Sequence, residues 1–235
     1  MPTPTALVTG ASRGLGRAIA FALGGAGWRV GICSRSGDGV ARTLAELREA
    51  KIEAAGRPAS VSSESDVGAL VSHVERELGP IDTLVNNAGV LYAKPFEEIS
   101  PAEWDESFAT NVRSLYVVTR AVLPGMRARR AGTIVNVASL SGRSGFAGGT
   151  VYTATKHAVL GFSRSLMLEL RNEGVRVITI CPGSMDTEMI QRQTAFERDP
   201  ERILKPEDVA QTVLHTIRLP QRALVSEVDI RPTSP

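Results

Sequence analysis

Thr9-Gly10-Ala11-Ser12-Arg13-Gly14-Leu15-Gly16 follows the short apolar run Ala6-Leu7-Val8 and opens into an amphipathic stretch over 17–27. Glycines at these places permit a tight turn and let a pyrophosphate approach backbone N–H groups at a helix N-terminus. A glycine-rich turn without a ligand has the same local pattern. The strand before and the helix after weigh toward nucleotide binding.

A second apolar run, 28–33, leads into Ser34-Arg35, with no carboxylate until Asp38. A ribose 2′-hydroxyl is usually held by an acidic residue after this strand, whereas a 2′-phosphate calls for Arg. Arg13 and Arg35 offer two fork-shaped guanidinium groups to a dianion. NADP(H) is therefore expected over NAD(H), with two solvated surface arginines as the alternative.

The same alternation continues to the end of the chain. Helices are expected over 40–50, 65–78, 103–130, 152–172 and 206–217, and strands over 54–61, 81–85, 132–137, 175–181 and 223–230. Nearly continuous apolar strands between helices indicate a parallel sheet covered on both faces. The expected fold is α/β, a doubly wound Rossmann fold with a mostly parallel seven-stranded sheet. One domain over 1–235 is the economical reading, because no repeat or Pro/Gly/Ser-rich linker divides it. The polar segment 183–204 follows a strand's carboxyl end, the place for a substrate loop.

Composition narrows the class further. The 235 residues carry 43% hydrophobic and 22% charged side chains and a net charge of +2, with no clustered basic excess to attract nucleic acid. Arg127, Arg129 and Arg130 form the one tight basic cluster, read as a solvated helix end. Two cysteines, Cys33 and Cys181, end apolar runs and read as reduced core residues of a cytoplasmic protein. The absence of a charged leader or a long apolar stretch predicts neither signal peptide nor membrane span. His73, His157 and His215 are dispersed without metal-ligand spacing, and Trp28 and Trp104 read as packing residues.

Tyr152-Thr153-Ala154-Thr155-Lys156 places a phenol and an amine four apart, on one helix face. A free phenol has a pKa near 10, and a neighbouring ammonium favours its ionised form. With three Tyr and four Lys in the chain, such a spacing arises by chance in about 5% of cases, so the pair needs support. Ser139, after the strand 132–137, is placed to hydrogen-bond a substrate oxygen, although taken in isolation it reads as an ordinary turn serine. Asn111 lies inside a helix, where Asn is mildly unfavourable; a buried hydrogen-bond task, a cap or plain exposure would each account for it.

Together these pieces resemble the short-chain dehydrogenase/reductase family over nearly the whole chain. The glycine motif matches Thr9 to Gly16, and Asn86-Asn87-Ala88-Gly89 matches the family's motif after the fourth strand, which stabilises the sheet and lines the adenosine pocket. The Asn, Ser, Tyr and Lys of its catalytic tetrad match Asn111, Ser139, Tyr152 and Lys156. Pro182-Gly183, with Met185 and Thr187 beyond it, matches the segment that meets the nicotinamide. Ser60-Val61 stands where Asp-Val is common beside the adenine.

The resemblance implies NADPH-dependent reduction of a carbonyl. Tyr152 would act as acid/base and Ser139 would orient the oxygen. Lys156 would lower the tyrosine pKa and bind the ribose, and Asn111 would hold a water linking Lys156 to solvent. It also implies cofactor contacts from Gly10, Ser12, Arg13, Gly14, Leu15, Gly16, Ser34, Arg35, Ser60, Val61, Asn87, Ala88 and Gly89, and a homo-oligomer (dimer or tetramer). A 3-oxoacyl-carrier-protein reductase is the runner-up. The first half matches those enzymes, but the chain ends Leu224-Val225-Ser226-Glu227-Val228-Asp229-Ile230-Arg231-Pro232 rather than in their usual stretch. Arg192 and Arg198 are placed to meet an acidic carrier or a carboxylate, or are simply solvated. A non-catalytic NADP(H) sensor or scaffold is the alternative of another class, against which the intact tetrad argues.

Overall fold

The computed structural model describes residues 3–191, 199 and 201–233. Strand β1 (Thr5–Thr9) is buried along its whole length, as a strand covered on both faces must be. Ala6 and Val8 point into one apolar layer and Leu7 into the other. Helix α1 (Gly14–Gly25) starts in the glycine motif itself, three residues before the apolar pattern announces it, and buries Leu15, Ala18, Ile19 and Leu23 as one stripe. Then follow β2 (Arg29–Ser34), α2 (Gly37–Glu49), β3 (Ala54–Pro58), α3 (Glu64–Leu78) and β4 (Ile81–Asn86). The second half contains α4 (Pro101–Phe108), α5 (Ser114–Arg129), β5 (Gly132–Val137), α6 (Thr150–Leu170), β6 (Val175–Pro182), α7 (Glu188–Gln191), α8 (Pro206–Arg218) and β7 (Glu227–Ile230).

The strands form one sheet in the order β3-β2-β1-β4-β5-β6-β7, and every neighbouring pair is parallel. This is the doubly wound Rossmann arrangement expected from the sequence. One apolar layer packs Ile19 and Leu23 of α1 with Val209 and Val213 of α8. The other packs Leu70 and Val74 of α3 with Val118 and Met126 of α5.

Two larger differences from the sequence reading concern a strand and a helix. The last strand covers only Glu227–Ile230; Ala223, where it was expected to begin, is engaged elsewhere. The Arg176 guanidinium collects the carbonyls of Ile217, Leu219 and Ala223, and the Ala223 amide closes a turn on Pro220. The helix expected over 103–130 is interrupted by a π-helical segment, Ala109–Arg113. Segment 183–204 contains the short α7, and its base is pinched by a parallel bridge between Met185 and Leu204. Arg192 and Arg198 lie outside the described residues.

At the centre of the sheet two asparagines pair across strands. Asn86 Nδ2 donates to Asn136 Oδ1 at 2.9 Å and to Thr119 Oγ1 at 3.2 Å, while Asn136 Nδ2 donates to Ser163 Oγ at 2.9 Å. Both side chains are buried, so removing one strands the donors and acceptors of the others. Asn136→Ala is expected to cost about 1–3 kcal/mol, read as a lower urea midpoint with an unchanged slope; an unshifted midpoint would remove the network from the account.

Candidate active site

Strands β1 and β4 are neighbours at the sheet centre, yet the chain leaves them toward opposite edges. Such a switch point opens a crevice at the strands' carboxyl ends. The two ends are stitched together: Thr9 Oγ1 accepts from the amides of Asn87 (3.0 Å) and Ala88 (3.1 Å), and Asn87 Nδ2 donates to Thr9 O (2.9 Å) and Gly10 O (3.3 Å). Gly10, at φ +66°, lies so close to β4 that a Cβ there would stand 2.8 Å from Ala88 Cα. At Gly16 a Cβ would stand 2.4 Å from Asn87 Nδ2 and from Gly10 O. Glycine is thus required first by backbone contact inside the protein.

The N-terminus of α1 faces the crevice without a side-chain cap and without an acidic residue in its first turn. Helices α2, α3 and α4 are capped by Ser36, Ser63 and Ser100. The open end of a twelve-residue helix presents amide donors and a positive dipole end to an anion. Beside it, Gly14 leaves a cradle bounded by the Thr187 side chain, 3.6 Å from where a Cβ would be. These features fit the pyrophosphate of a dinucleotide.

The crevice encloses about 1010 Å³, at the upper end of small-molecule sites. All expected cofactor positions line it: Gly10, Ser12, Arg13, Gly14, Leu15 and Gly16 from the first loop, Ser34 and Arg35 after β2, and Ser60 and Val61 after β3. Asn87, Ala88, Gly89, Pro182, Gly183, Met185 and Thr187 complete the wall. The Ser60 amide donates to Asp66 at 2.9 Å, and its hydroxyl pairs with Ser62. The two expected phosphate cations are not bare. Arg13 pairs with Glu188 at 2.9 Å and Arg35 with Glu106 at 2.6 Å.

Ser139, Tyr152 and Lys156 meet at the far end of the same crevice, whereas Asn111 lies behind its wall. The π-helical turn carries Asn111, whose Oδ1 accepts from the Val90 amide at 2.8 Å. Its Nδ2 donates to Val90 O (2.9 Å) and Thr155 Oγ1 (3.0 Å). The side chain expected to hold a water ties the loop following β4 to α6. Lys156 Nζ donates to Val137 O at 2.9 Å and lies 5.5 Å from the centre of the Tyr152 ring.

Burial pushes the Tyr152 phenol up to about 12, against a hydrogen bond from Ser139 that favours the phenolate. Burial also pulls the Lys156 ammonium down to about 8. Desolvation penalises the charged form of each, so the phenol holds its proton firmly while the lysine keeps its charge only up to mildly basic pH.

Several lining residues escaped the sequence reading: Arg42 on α2, Glu106 on α4, Glu188 on α7 and Arg231 after β7. Arg42 was hidden because α2 begins at Gly37 rather than near Val40. Leu91, Leu140, Phe146, Met189 and Ile190 give the crevice apolar lining. Among the described residues no group of three or more His, Cys, Asp or Glu is placed to hold a metal, and no helix is long and apolar enough to cross a membrane. Gly16→Ala is expected to weaken NADPH binding at least tenfold, measured by nicotinamide fluorescence. Parental affinity would mean that the stitched loop does not shape the site.

The profile of the short chain dehydrogenase family matches residues 4–198. The chain is 38% identical, over 83% of its length and 78% of the relative's, to the 3-oxoacyl-acyl-carrier-protein reductase of Pseudomonas aeruginosa. It is 37% identical to the acetoacetyl-CoA reductase of Shinella zoogloeoides, over 88% of this chain and 81% of that one. Among solved structures it resembles a variant of actinorhodin polyketide ketoreductase with NADPH, at 35% identity and a TM-score of 0.91, covering 98% of this chain and 96% of that one. With the glycine loop, the switch-point cleft and the Ser139–Tyr152–Lys156 cluster in register, the chain belongs to the short-chain dehydrogenase/reductase family.

Proposed function

We propose that this protein is an NADPH-dependent ketoreductase, converting a carbonyl to an alcohol in one cleft of a single 1–235 unit. The observation that carries the reading is the meeting of Ser139, Tyr152 and Lys156 at one end of a cleft whose other end suits a phosphorylated dinucleotide. When bound, NADPH supplies the hydride that reaches the carbonyl carbon. Tyr152 gives its phenolic proton to the carbonyl oxygen, a role suited to a phenol kept neutral by burial. Ser139, whose hydroxyl lies in the same cleft and donates to Pro182 O at 3.4 Å, shares the carbonyl oxygen with Tyr152. The Lys156 ammonium lies beneath the tyrosine ring and offsets the negative charge left when the proton departs. Asn111 holds Val90 and α6 in register.

The apolar lining of the crevice suits a ketone with a hydrocarbon body. A 3-oxoacyl thioester is the second reading, favoured by the names of the relatives in Pseudomonas aeruginosa and Shinella zoogloeoides. A cytoplasmic homo-oligomer is part of the same proposal. It is supported by the buried, unpaired cysteines and by membership of the family.

Purified protein is expected to oxidise NADPH with at least one member of a panel of ketones, keto esters, quinones and 3-oxoacyl thioesters. Tight NADPH binding with no turnover across the panel would favour a nucleotide-sensing protein instead. Tyr152→Phe is expected to lower turnover about 10²–10⁴-fold while NADPH still binds; retained activity would remove the phenol from the chemistry. The reduction rate, kcat/KM against pH, is expected to stay level through neutrality and fall above about 8, where Lys156 loses its charge. A rate that climbs through that range would contradict the assigned proton donor.

A further inference from the structure

Arg35, the cation expected at the 2′-phosphate, is held by a carboxylate that no element near it in sequence supplies. Glu106, on α4, lies 71 residues away and lines the same cleft. Its Oε1 takes the Arg35 Nη1 at 2.6 Å, and its other oxygen accepts the Tyr92 hydroxyl. The phenol and the guanidinium both hold Glu106 in its charged form, below the usual carboxylate range. Cofactors with a free 2′-hydroxyl are usually met by a carboxylate after the second strand. This chain has none there, but its fold brings one to the same mouth from the opposite wall.

We propose that Glu106 is a specificity-setting residue that competes with the cofactor's 2′-phosphate for Arg35 and so moderates the preference for NADP(H) over NAD(H). The inference rests on the reading that Arg35 meets that phosphate. Two effects of opposite sign are in play. Glu106 orients Arg35, which aids a phosphate, and it occupies part of the fork and repels a dianion, which opposes one. Arg35 has a side chain 65% exposed and Glu106 one 33% exposed, and exposed pairs contribute little by themselves. Orientation is therefore the weaker effect. A dianion brought to this guanidinium faces the full charge of a carboxylate anchored by Tyr92, and repulsion wins.

The test is binding of NADPH and NADH to the full chain by nicotinamide fluorescence, with adenosine 2′,5′-bisphosphate and adenosine 5′-monophosphate as competitors. Glu106→Gln keeps the shape and removes the charge. It is expected to tighten NADPH and the bisphosphate about two- to fivefold, and NADH and the monophosphate by less than about twofold. Glu106→Asp, which restores the charge, is expected to return the ratio toward the parent, and the gain is expected to shrink as salt screens the pair. An unchanged or reduced NADPH preference in Glu106→Gln, with discrimination still lost in Arg35→Ala, would overturn the proposal alone. Equal binding of both competitors by the parent, with Arg35→Ala without effect, would overturn the Arg35 reading and the proposal with it.

Discussion

Two ionisable side chains one helical turn apart, Tyr152 and Lys156, are held out of water, and the chemistry depends on that exclusion. Burial moves the phenol up to about 12 and the lysine down to about 8. The first becomes a dependable proton donor, and the second remains a cation near neutrality with less to lose on neutralisation. The arrangement costs stability. Between about 8 and the ordinary 10.5 the unfolded chain binds more protons at Lys156 than the native one, so its penalty is full below that window and vanishes above it. Functional sites commonly carry such a debit.

The surrounding structure keeps those two groups in place. Val137, the last residue of β5, gives its carbonyl to Lys156. The π-helical turn lets Asn111 grip Val90 on one side and Thr155 on the other, and the Thr155 hydroxyl returns to Tyr152 O at 2.8 Å. A π-bulge at a functional site is a recurrent device; here it points one amide at two elements together. The stitch between Thr9 and Asn87 does the corresponding work at the nucleotide end, bringing the open terminus of α1 to the cleft wall.

Much of this was legible in the sequence, for a physical reason. A glycine loop between a strand and a helix, or a tyrosine and lysine four apart, is a local pattern whose geometry follows from the element that carries it. What stayed hidden depends on pairing through space. Arg35 reads as a cation awaiting a phosphate until α4 delivers Glu106 to it, and Arg13 likewise until α7 delivers Glu188. The final strand reads as longer than it is because nothing in its own residues reveals that the Ala223 carbonyl goes to Arg176 and its amide to Pro220. The spacing predicts the amine's proximity, but the degree of desolvation belongs to the folded cleft.

The central claim, a phenol kept protonated by burial beside a lysine, is tested most directly by following the tyrosine ring carbons through a pH titration. The chain has three tyrosines, Tyr92, Tyr116 and Tyr152, so ¹³C labelling at the phenolic carbon with Tyr152→Phe as the assignment control resolves each one. The account predicts that the Tyr152 signal keeps its neutral-phenol position past pH 10. A Tyr152 signal that titrates near neutral pH would contradict it.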